Sequence, residues 1–161
     1  MRTSANTSIN QRIPALFKKV DWKEGTTNLD YGCGKYPWYA ADYIAKKGVL
    51  NVSYDPYNYP ITEKIISGQK FDTVTLSNVL NVIEDYRDRI HVLEQCKEYL
   101  KYGGTLYITV YEGDRSGEGR ETKPDCWQEN RKLKSYIDEV MEVFYLGYTK
   151  IKNGVMEVHK V

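Results

Sequence analysis

Asn28-Leu29-Asp30-Tyr31-Gly32-Cys33-Gly34-Lys35-Tyr36-Pro37 is the stretch on which the reading of this chain turns. It has the form of a buried strand ending at Asp30, a glycine turn and the start of a helix. Gly32 and Gly34 permit backbone angles or close approaches that a side chain would forbid. Such a turn brings backbone N–H groups and a helix N-terminus together beside a ligand. Roughly twenty-five residues on, a second apolar strand, Val49–Tyr54, runs into Asp55, and an acid at that place is where folds of this kind hold a ribose. A dinucleotide site wants a third glycine, but Lys35-Tyr36 stands there. That argues against a cofactor with a pyrophosphate. Taken alone, the glycine pair would serve equally well as a turn with purely geometric duties.

The chain of 161 residues is 41% apolar and 28% charged, the balance of one globular domain with a single sizeable core. A formal net charge of +1 supplies no whole-molecule drive toward nucleic acid or membrane. The fifteen tyrosines suit pocket walls and partner surfaces, where an apolar ring and a polar tip are both used. Three widely spaced cysteines, Cys33, Cys96 and Cys126, with the isolated His91 and His159, have neither a metal-ligand spacing nor a disulfide pattern, so no metal is expected. Met1–Asn10 is polar, unlike a secretory leader, and no apolar run approaches membrane-spanning length. A reducing cytoplasm is the simplest compartment.

Residues 1–25 are read as an N-terminal segment with a short helix at Ile13–Val20, and residues 26–161 as the domain. The segment is basic, with Arg2, Arg12, Lys18, Lys19 and Lys23 against Asp21; it is either a frayed terminus or a lid over a site. Pro37 opens a helix that Gly48 stops. Between Asp55-Pro56-Tyr57-Asn58-Tyr59-Pro60 and the strand Phe71–Ser77 only about fifteen residues remain, too few for the helix, strand and helix of an ordinary doubly wound unit. A strand there is therefore very short or missing. Arg87–Leu100 has helical apolar spacing, and Gly103-Gly104 ends it before a strand at Thr105–Tyr111. Glu112–Pro124 reads as a long glycine-hinged loop, Leu133–Phe144 as a helix, and Phe144–Lys152, Asn153-Gly154 and Val155–Val161 as a hairpin with a tight primed turn.

Asp30-Tyr31-Gly32-Cys33-Gly34 with Asp55 resembles the nucleoside-binding half of class I S-adenosylmethionine-dependent methyltransferases. The later strands and the closing hairpin extend the resemblance to residues 26–161. It implies an α/β, Rossmann-like doubly wound sheet, mostly parallel with a C-terminal antiparallel hairpin, the third-strand region being shortened. It also implies S-adenosylmethionine as cofactor, held by Asp30, Tyr31, Gly32, Cys33, Gly34 and Lys35, with Asp55, Pro56 and Tyr57 at the ribose and Ser77, Asn78 and Val79 beside adenine or sulfur. Tyr57 and Asn58 are candidates to replace an adenine contact normally made after the third strand. Asp55-Pro56-Tyr57, Val79-Leu80-Asn81-Val82-Ile83, Tyr111-Glu112-Gly113-Asp114, Gly119-Arg120-Glu121-Thr122-Lys123 and Trp127-Gln128 with Asn130-Arg131 are similar to small methyltransferase-like proteins of phages and prophages. The Val-Leu-Asn-Val-Ile-Glu-Asp run also resembles methyltransferase-like proteins associated with DNA phosphorothioation.

Methyl transfer needs donor and acceptor held in line in a dry pocket, with a group to take a proton where the acceptor requires it. Asn78, Tyr111 and Glu112 are the candidates for that work, and Asp114, Arg120, Trp127, Gln128 and Arg131 for a substrate lid, with residues 4–10 as a second lid candidate. The run Ser77-Asn78-Val79-Leu80 lacks the prolines of DNA amino-methyltransferases, and Cys126 follows Asp125, where cytosine C5 chemistry wants Pro-Cys. Segment 112–135 has six basic and six acidic residues, which argues against tight non-specific nucleic-acid binding. The acceptor is thus unassigned: a nucleotide, a nucleic acid or a small molecule. Two other readings keep the same pocket, cleavage of the cofactor and a non-catalytic cofactor-binding interaction protein.

Overall fold

A computed structural model describes residues 11–161; the lid candidate at residues 4–10 lies outside the described residues. The elements, in order, are α1 (Ala15–Lys19), β1 (Thr27–Tyr31), α2 (Trp38–Ala45), β2 (Leu50–Tyr54), α3 (Thr62–Ile66), β3 (Phe71–Ser77), α4 (Tyr86–Tyr99), β4 (Leu100–Thr109), β5 (Arg120–Lys123), β6 (Cys126–Gln128), α5 (Ile137–Val143), β7 (Tyr148–Lys152) and β8 (Val155–His159). One sheet has the order β2-β1-β3-β4-β8-β7, and β5 and β6 form a separate ribbon. The pairs β2–β1, β1–β3 and β3–β4 are parallel, while β4–β8 and β8–β7 are antiparallel. This is the mostly parallel α/β fold with a closing hairpin that the sequence implies. After β2 the chain makes only α3 before returning as β3, so among the described residues no strand occupies the shortened region.

Alternation along the strands sorts the side chains into two layers. Leu29, Val74, Leu76, Leu106 and Ile108 face α4 and α5 in a core completed by Leu93, Cys96, Tyr136, Val140 and Phe144. Leu16, Phe17, Ala40 and Ile44 pack α1 and α2 on the other face. Each fully buried large aliphatic or aromatic side chain contributes about 1.5–3 kcal/mol. Between β1, β2 and β3 that second face is polar. Asn28 Nδ2 donates to Asn51 Oδ1 (2.9 Å) and Thr75 Oγ1 (3.1 Å), and Thr73 Oγ1 donates to Asn28 Oδ1 (2.7 Å). Asn28 and Thr75 are fully buried, so the groups satisfy each other out of water, as buried polar atoms must.

Three local expectations change. Gly103 and Gly104 do not end α4; the helix stops at Tyr99 and both glycines lie inside β4. Gly103 has a φ of +80°, and a Cβ on Gly104 would stand 2.9 Å from the Asp72 and Lys101 carbonyls, so the pair serves the register shift between β3 and β4. The loop after Glu112 closes into the β5–β6 ribbon, with Asp125 at positive φ in its turn. Leu133–Phe144 begins as a 3-10 turn, Leu133–Tyr136, before α5. The expected primed turn is present: Asn153 and Gly154 both have positive φ, 54° and 74°.

The hairpin is entered through Gly147, where an added Cβ would lie 2.1 Å from the His159 carbonyl oxygen. That backbone is paired in the sheet and has little freedom to give. Gly147→Ala should therefore lower stability by about 2 kcal/mol, seen as a thermal midpoint roughly 5 °C lower by circular dichroism.

Candidate active site

The site begins at the carboxyl ends of β1 and β3. These neighbours lie where the chain's crossovers diverge, β1 leading outward to β2 and the next crossover returning to β3, the place where open α/β sheets bind ligands. Asp30 is 3% exposed and stands opposite Thr75 in register. Thr75 Oγ1 donates to Asp30 Oδ1 at 3.1 Å. Burial, with the Asp55 charge nearby, raises the Asp30 carboxyl from its ordinary value to about 7, against the opposing pull of the Thr75 bond.

The glycine loop then turns in a way the sequence does not disclose. Gly32 N and Cys33 N both donate to the Tyr54 carbonyl, at 2.7 and 3.0 Å, and Gly34 N donates to Asp55 Oδ2 at 3.0 Å. Three consecutive N–H groups are thus directed to the end of β2. Gly32 has φ +82°, and a Cβ there would meet Val79 Cγ2 at 2.5 Å, so this glycine lets the loop close over the turn that follows β3. The Cys33 thiol is pushed up by burial and by the two acids, which leaves it a poor nucleophile. Tyr31 ends β1 buried and edge-on to Tyr54, ring centres 5.1 Å apart. The Lys35 carbonyl accepts from Tyr59 OH at 2.8 Å.

Asp55 is also 3% exposed. Its Oδ1 accepts from Tyr57 N (2.9 Å) and Asn58 N (3.0 Å), and its Oδ2 from Gly34 N. One carboxylate therefore closes the Asp55-Pro56-Tyr57-Asn58 turn and fastens it to the glycine loop. Of roughly four lone-pair positions on a carboxylate, three are taken. Asn58 Nδ2 is buried and meets no acceptor among the described residues. On the opposite wall Ser77 ends β3, and Asn78 is exposed with φ +55°. Its N–H donates to the Thr109 carbonyl at 2.9 Å. A left-handed non-glycine residue at a strand end is a strained conformation that clusters at functional positions.

Tyr111 is 64% exposed, and its carbonyl accepts from Gln128 Nε2 at 2.8 Å. Gln128 Oε1 accepts from Asn81 Nδ2 at 3.1 Å. This buried relay joins the turn after β3, the ribbon and the strand exit after β4. Glu112, a candidate proton acceptor, has both oxygens engaged: Oε2 accepts from Leu133 N at 2.7 Å and Oε1 pairs with Arg115 Nε at 3.0 Å. Asp114 pairs with Arg120 at 2.6 Å on the exposed side of the ribbon. Trp127 Nε1 donates to Glu129 Oε2 at 2.7 Å, with its ring against Gly119.

Arg131 belongs to a cluster of four charges. Buried Arg89 pairs with Glu129 (2.8 Å) and Glu139 (2.7 Å), Arg131 approaches the same two acids at 3.6 and 3.3 Å, and its guanidinium lies 4.0 Å over the Tyr136 ring. Sequence reading missed this cluster because Arg89, Glu129 and Glu139 lie on three separate elements with no shared motif. It missed Thr75 too, although alternation along Phe71–Ser77 puts Thr75 on the same face as Thr73. Among the described residues no group of three or more His, Cys, Asp and Glu is arranged to hold a metal ion, and no helix is long and apolar enough to cross a membrane.

Comparison with known proteins gives this arrangement its family. The family described as a methyltransferase domain matches residues 1–143. No curated protein sequence matches. Among solved structures, the chain is similar to the 1,6-didemethyltoxoflavin-N1-methyltransferase of Burkholderia thailandensis, crystallised with 1,6-didemethyltoxoflavin and S-adenosylhomocysteine. The TM-score is 0.66 at 16% identity, over 86% of this chain and 72% of that one. It is similar to an O-methyltransferase from neocarzinostatin biosynthesis in complex with S-adenosylhomocysteine and 1,4-dihydroxy-2-naphthoic acid (TM-score 0.64, 14% identity, 91% of this chain and 53% of that one). DesVI of Streptomyces venezuelae matches at TM-score 0.58 and 11% identity, over 84% of each chain. These likenesses show the fold, and with a family match across 143 of 161 residues the chain belongs to the methyltransferase domain family, as an S-adenosylmethionine-dependent methyltransferase.

Proposed function

We propose that this protein transfers the methyl group of S-adenosylmethionine to an acceptor at the carboxyl end of β1, β3 and β4. The observation that carries the reading is a pair of buried carboxylates beside a loop whose N–H groups are already used. Phosphates are bound by N–H groups, and those of Gly32, Cys33 and Gly34 are directed elsewhere. What the site offers is negative charge, Asp30 and Asp55, and among the described residues no cation pairs with either. A cofactor carrying an ammonium and a sulfonium fits that donor set; a dinucleotide does not. When bound, the cofactor supplies a methyl group on an already activated sulfur.

Asp30 holds the ammonium of the methionine part, with Tyr31–Lys35 shaping the cradle. Asp55 has room for one ribose hydroxyl on Oδ2 and sets the position of Pro56 and Tyr57, while the unpartnered Asn58 Nδ2 suits a ring nitrogen of adenine. Ser77, Asn78 and Val79 line the wall next to the reacting carbon. Tyr111 and Asn78 are placed to orient the acceptor, and Glu112 shapes the acceptor side rather than taking a proton directly. Gln128, Trp127, Asp114, Arg120 and Arg131 build the lid. The sequence's resemblance to phage and prophage proteins supports action in a host cytoplasm.

Calorimetric titration with S-adenosylmethionine and S-adenosylhomocysteine should show binding that Asp55→Ala abolishes, because that change frees the glycine loop as well as a ribose contact. With methyl-labelled cofactor, label should pass to an acceptor and stay on the cofactor without one. Cofactor loss with no acceptor present would assign cleavage instead, and binding with no transfer to any acceptor would assign a binding protein. A pH dependence follows from Asp30. The ammonium favours the ionised carboxyl, so affinity is full above the free-protein value of about 7 and falls as pH drops below it. Between pH 7.5 and 5.5 the affinity should weaken roughly 20-fold, and Asp30→Asn should bind more weakly with a flat profile.

A further inference from the structure

Strand β2 is one edge of the sheet, because the chain goes from it through α3 to β3 without laying a further strand alongside. Its inner side is used. Leu50 N donates to the Thr26 carbonyl at 3.1 Å, and the Tyr54 carbonyl accepts from Gly32 N at 2.7 Å. With the parallel register between β1 and β2, this turns the backbone groups of Leu50, Val52 and Tyr54 toward β1. Those groups alternate along a strand, so the N–H and C=O of Asn51 and Ser53 face outward, and among the described residues nothing pairs with them. Beyond Ser53 the edge is closed by the chain itself, the Asp55 carbonyl accepting from Tyr59 N at 2.8 Å.

The structure assigns this edge to a second copy of the chain. The two β2 strands lie antiparallel about a twofold axis, the backbone groups of Asn51 and Ser53 in each copy meeting those of the other, and the sheet runs on through both. A free edge is a template for another strand, which proteins block with charge, proline or a bulge. Leu50-Asn51-Val52-Ser53-Tyr54 has none of these. The opposite edge, β7, has Lys150 and Lys152, and pairing it with itself would bring like charges together. An uncharged strand meets its own copy without that cost, and a twofold axis gives each copy what the other lacks. The flanks agree in charge. Exposed Lys46 and Lys47 precede β2, and Glu63 is the charge that acts most on the Tyr54 hydroxyl at its far end. Antiparallel pairing brings the lysine end of one copy to the glutamate end of the other.

Side chains supply the apolar part of the seam. Alternation puts Leu50 on the face of Val52 and Tyr54, which α3 covers through Ile66. Leu50 is nevertheless 67% exposed, and Ile61 and Ile65, one helical turn apart on the exposed side of α3, are 62% and 61% exposed. Large aliphatic side chains grouped beside a free strand edge mark an association surface. This pairing stands apart from the methyl-transfer reading, since the seam is at β2 and the proposed acceptor wall at β3 and β4.

The test is sedimentation of the full chain over a range of concentrations, with amide hydrogen exchange at both ends of that range. Wild type should pass from monomer to dimer with a midpoint on the order of 10 μM, and the Asn51 and Ser53 amides should exchange more slowly in the dimer. Leu50→Lys, which sets a charge in the seam, should weaken association about tenfold or more. Ser53→Pro removes one outward N–H, a change that edge strands accept, and should do the same. Both variants should keep the wild-type circular dichroism, and Ile151→Lys on the β7 edge should associate as wild type does. A wild-type chain that stays monomeric to about 1 mM overturns the assignment to a second copy. A dimer in which the Asn51 and Ser53 amides exchange as fast as in the monomer, or one that folded Leu50→Lys forms equally well, overturns the β2 seam.

Discussion

Two carboxylates, Asp30 and Asp55, are buried side by side at one end of the sheet, and no cation among the described residues answers them. Charge out of water is costly unless it is paired or hydrogen-bonded. The fold manages the two acids differently. Asp55 is held by three backbone N–H groups, a stable arrangement for a carboxylate. Asp30 has one hydroxyl donor and is raised to about 7. Asp55 thus has three donors and Asp30 one. On the proposed reading, that difference separates scaffold from seat.

The rest of the molecule maintains the pair. Thr75 reaches Asp30 because β1 and β3 are adjacent and in register, and Thr75 is itself oriented by Asn28 within the polar ladder on that sheet face. The proposed acceptor side has its own ties. Asn81, Gln128 and the Tyr111 carbonyl tie the ribbon to both walls, and the Arg89–Glu129–Glu139–Arg131 cluster anchors the ribbon's exit to α4 and α5. Removing one member of a buried ionic cluster costs about 3–5 kcal/mol, so these charges hold the segment after the ribbon against α4 and α5. The proposed cofactor seat and acceptor wall meet at the turn after β3, where Val79 lies against Gly32, Asn81 bonds Gln128 and Asn78 has a left-handed backbone.

What was legible in the sequence follows from the range of the interactions involved. Asp30-Tyr31-Gly32-Cys33-Gly34, Asp55 and the Asn153-Gly154 turn are local signals, each set by backbone geometry within a few residues, and each stands where expected. The shortened third-strand region was legible too: chain length left room for a very short strand or none, and among the described residues none forms. The direction of the glycine loop's N–H groups was not, since it depends on Tyr54 and Asp55, some twenty residues away. The ribbon at Arg120–Gln128 looked like a loop because its two strands are short, four and three residues, and the first is exposed throughout. Glu112 looked like a proton acceptor because its partners, Leu133 N and Arg115, become neighbours only once α5 has docked. Gly103-Gly104 looked like a helix stop because nothing in their own sequence announces the closeness of the Asp72 carbonyl.

The central proposal is that the Asp30 carboxylate takes a cation, and its titration tests that most directly. Followed by carboxyl-carbon NMR in the free protein, Asp30 should titrate near 7; with saturating S-adenosylhomocysteine, whose ammonium favours the ionised form, the midpoint should move well below that. A free-protein midpoint in the ordinary aspartate range, or one that bound ligand leaves unmoved, would contradict the account.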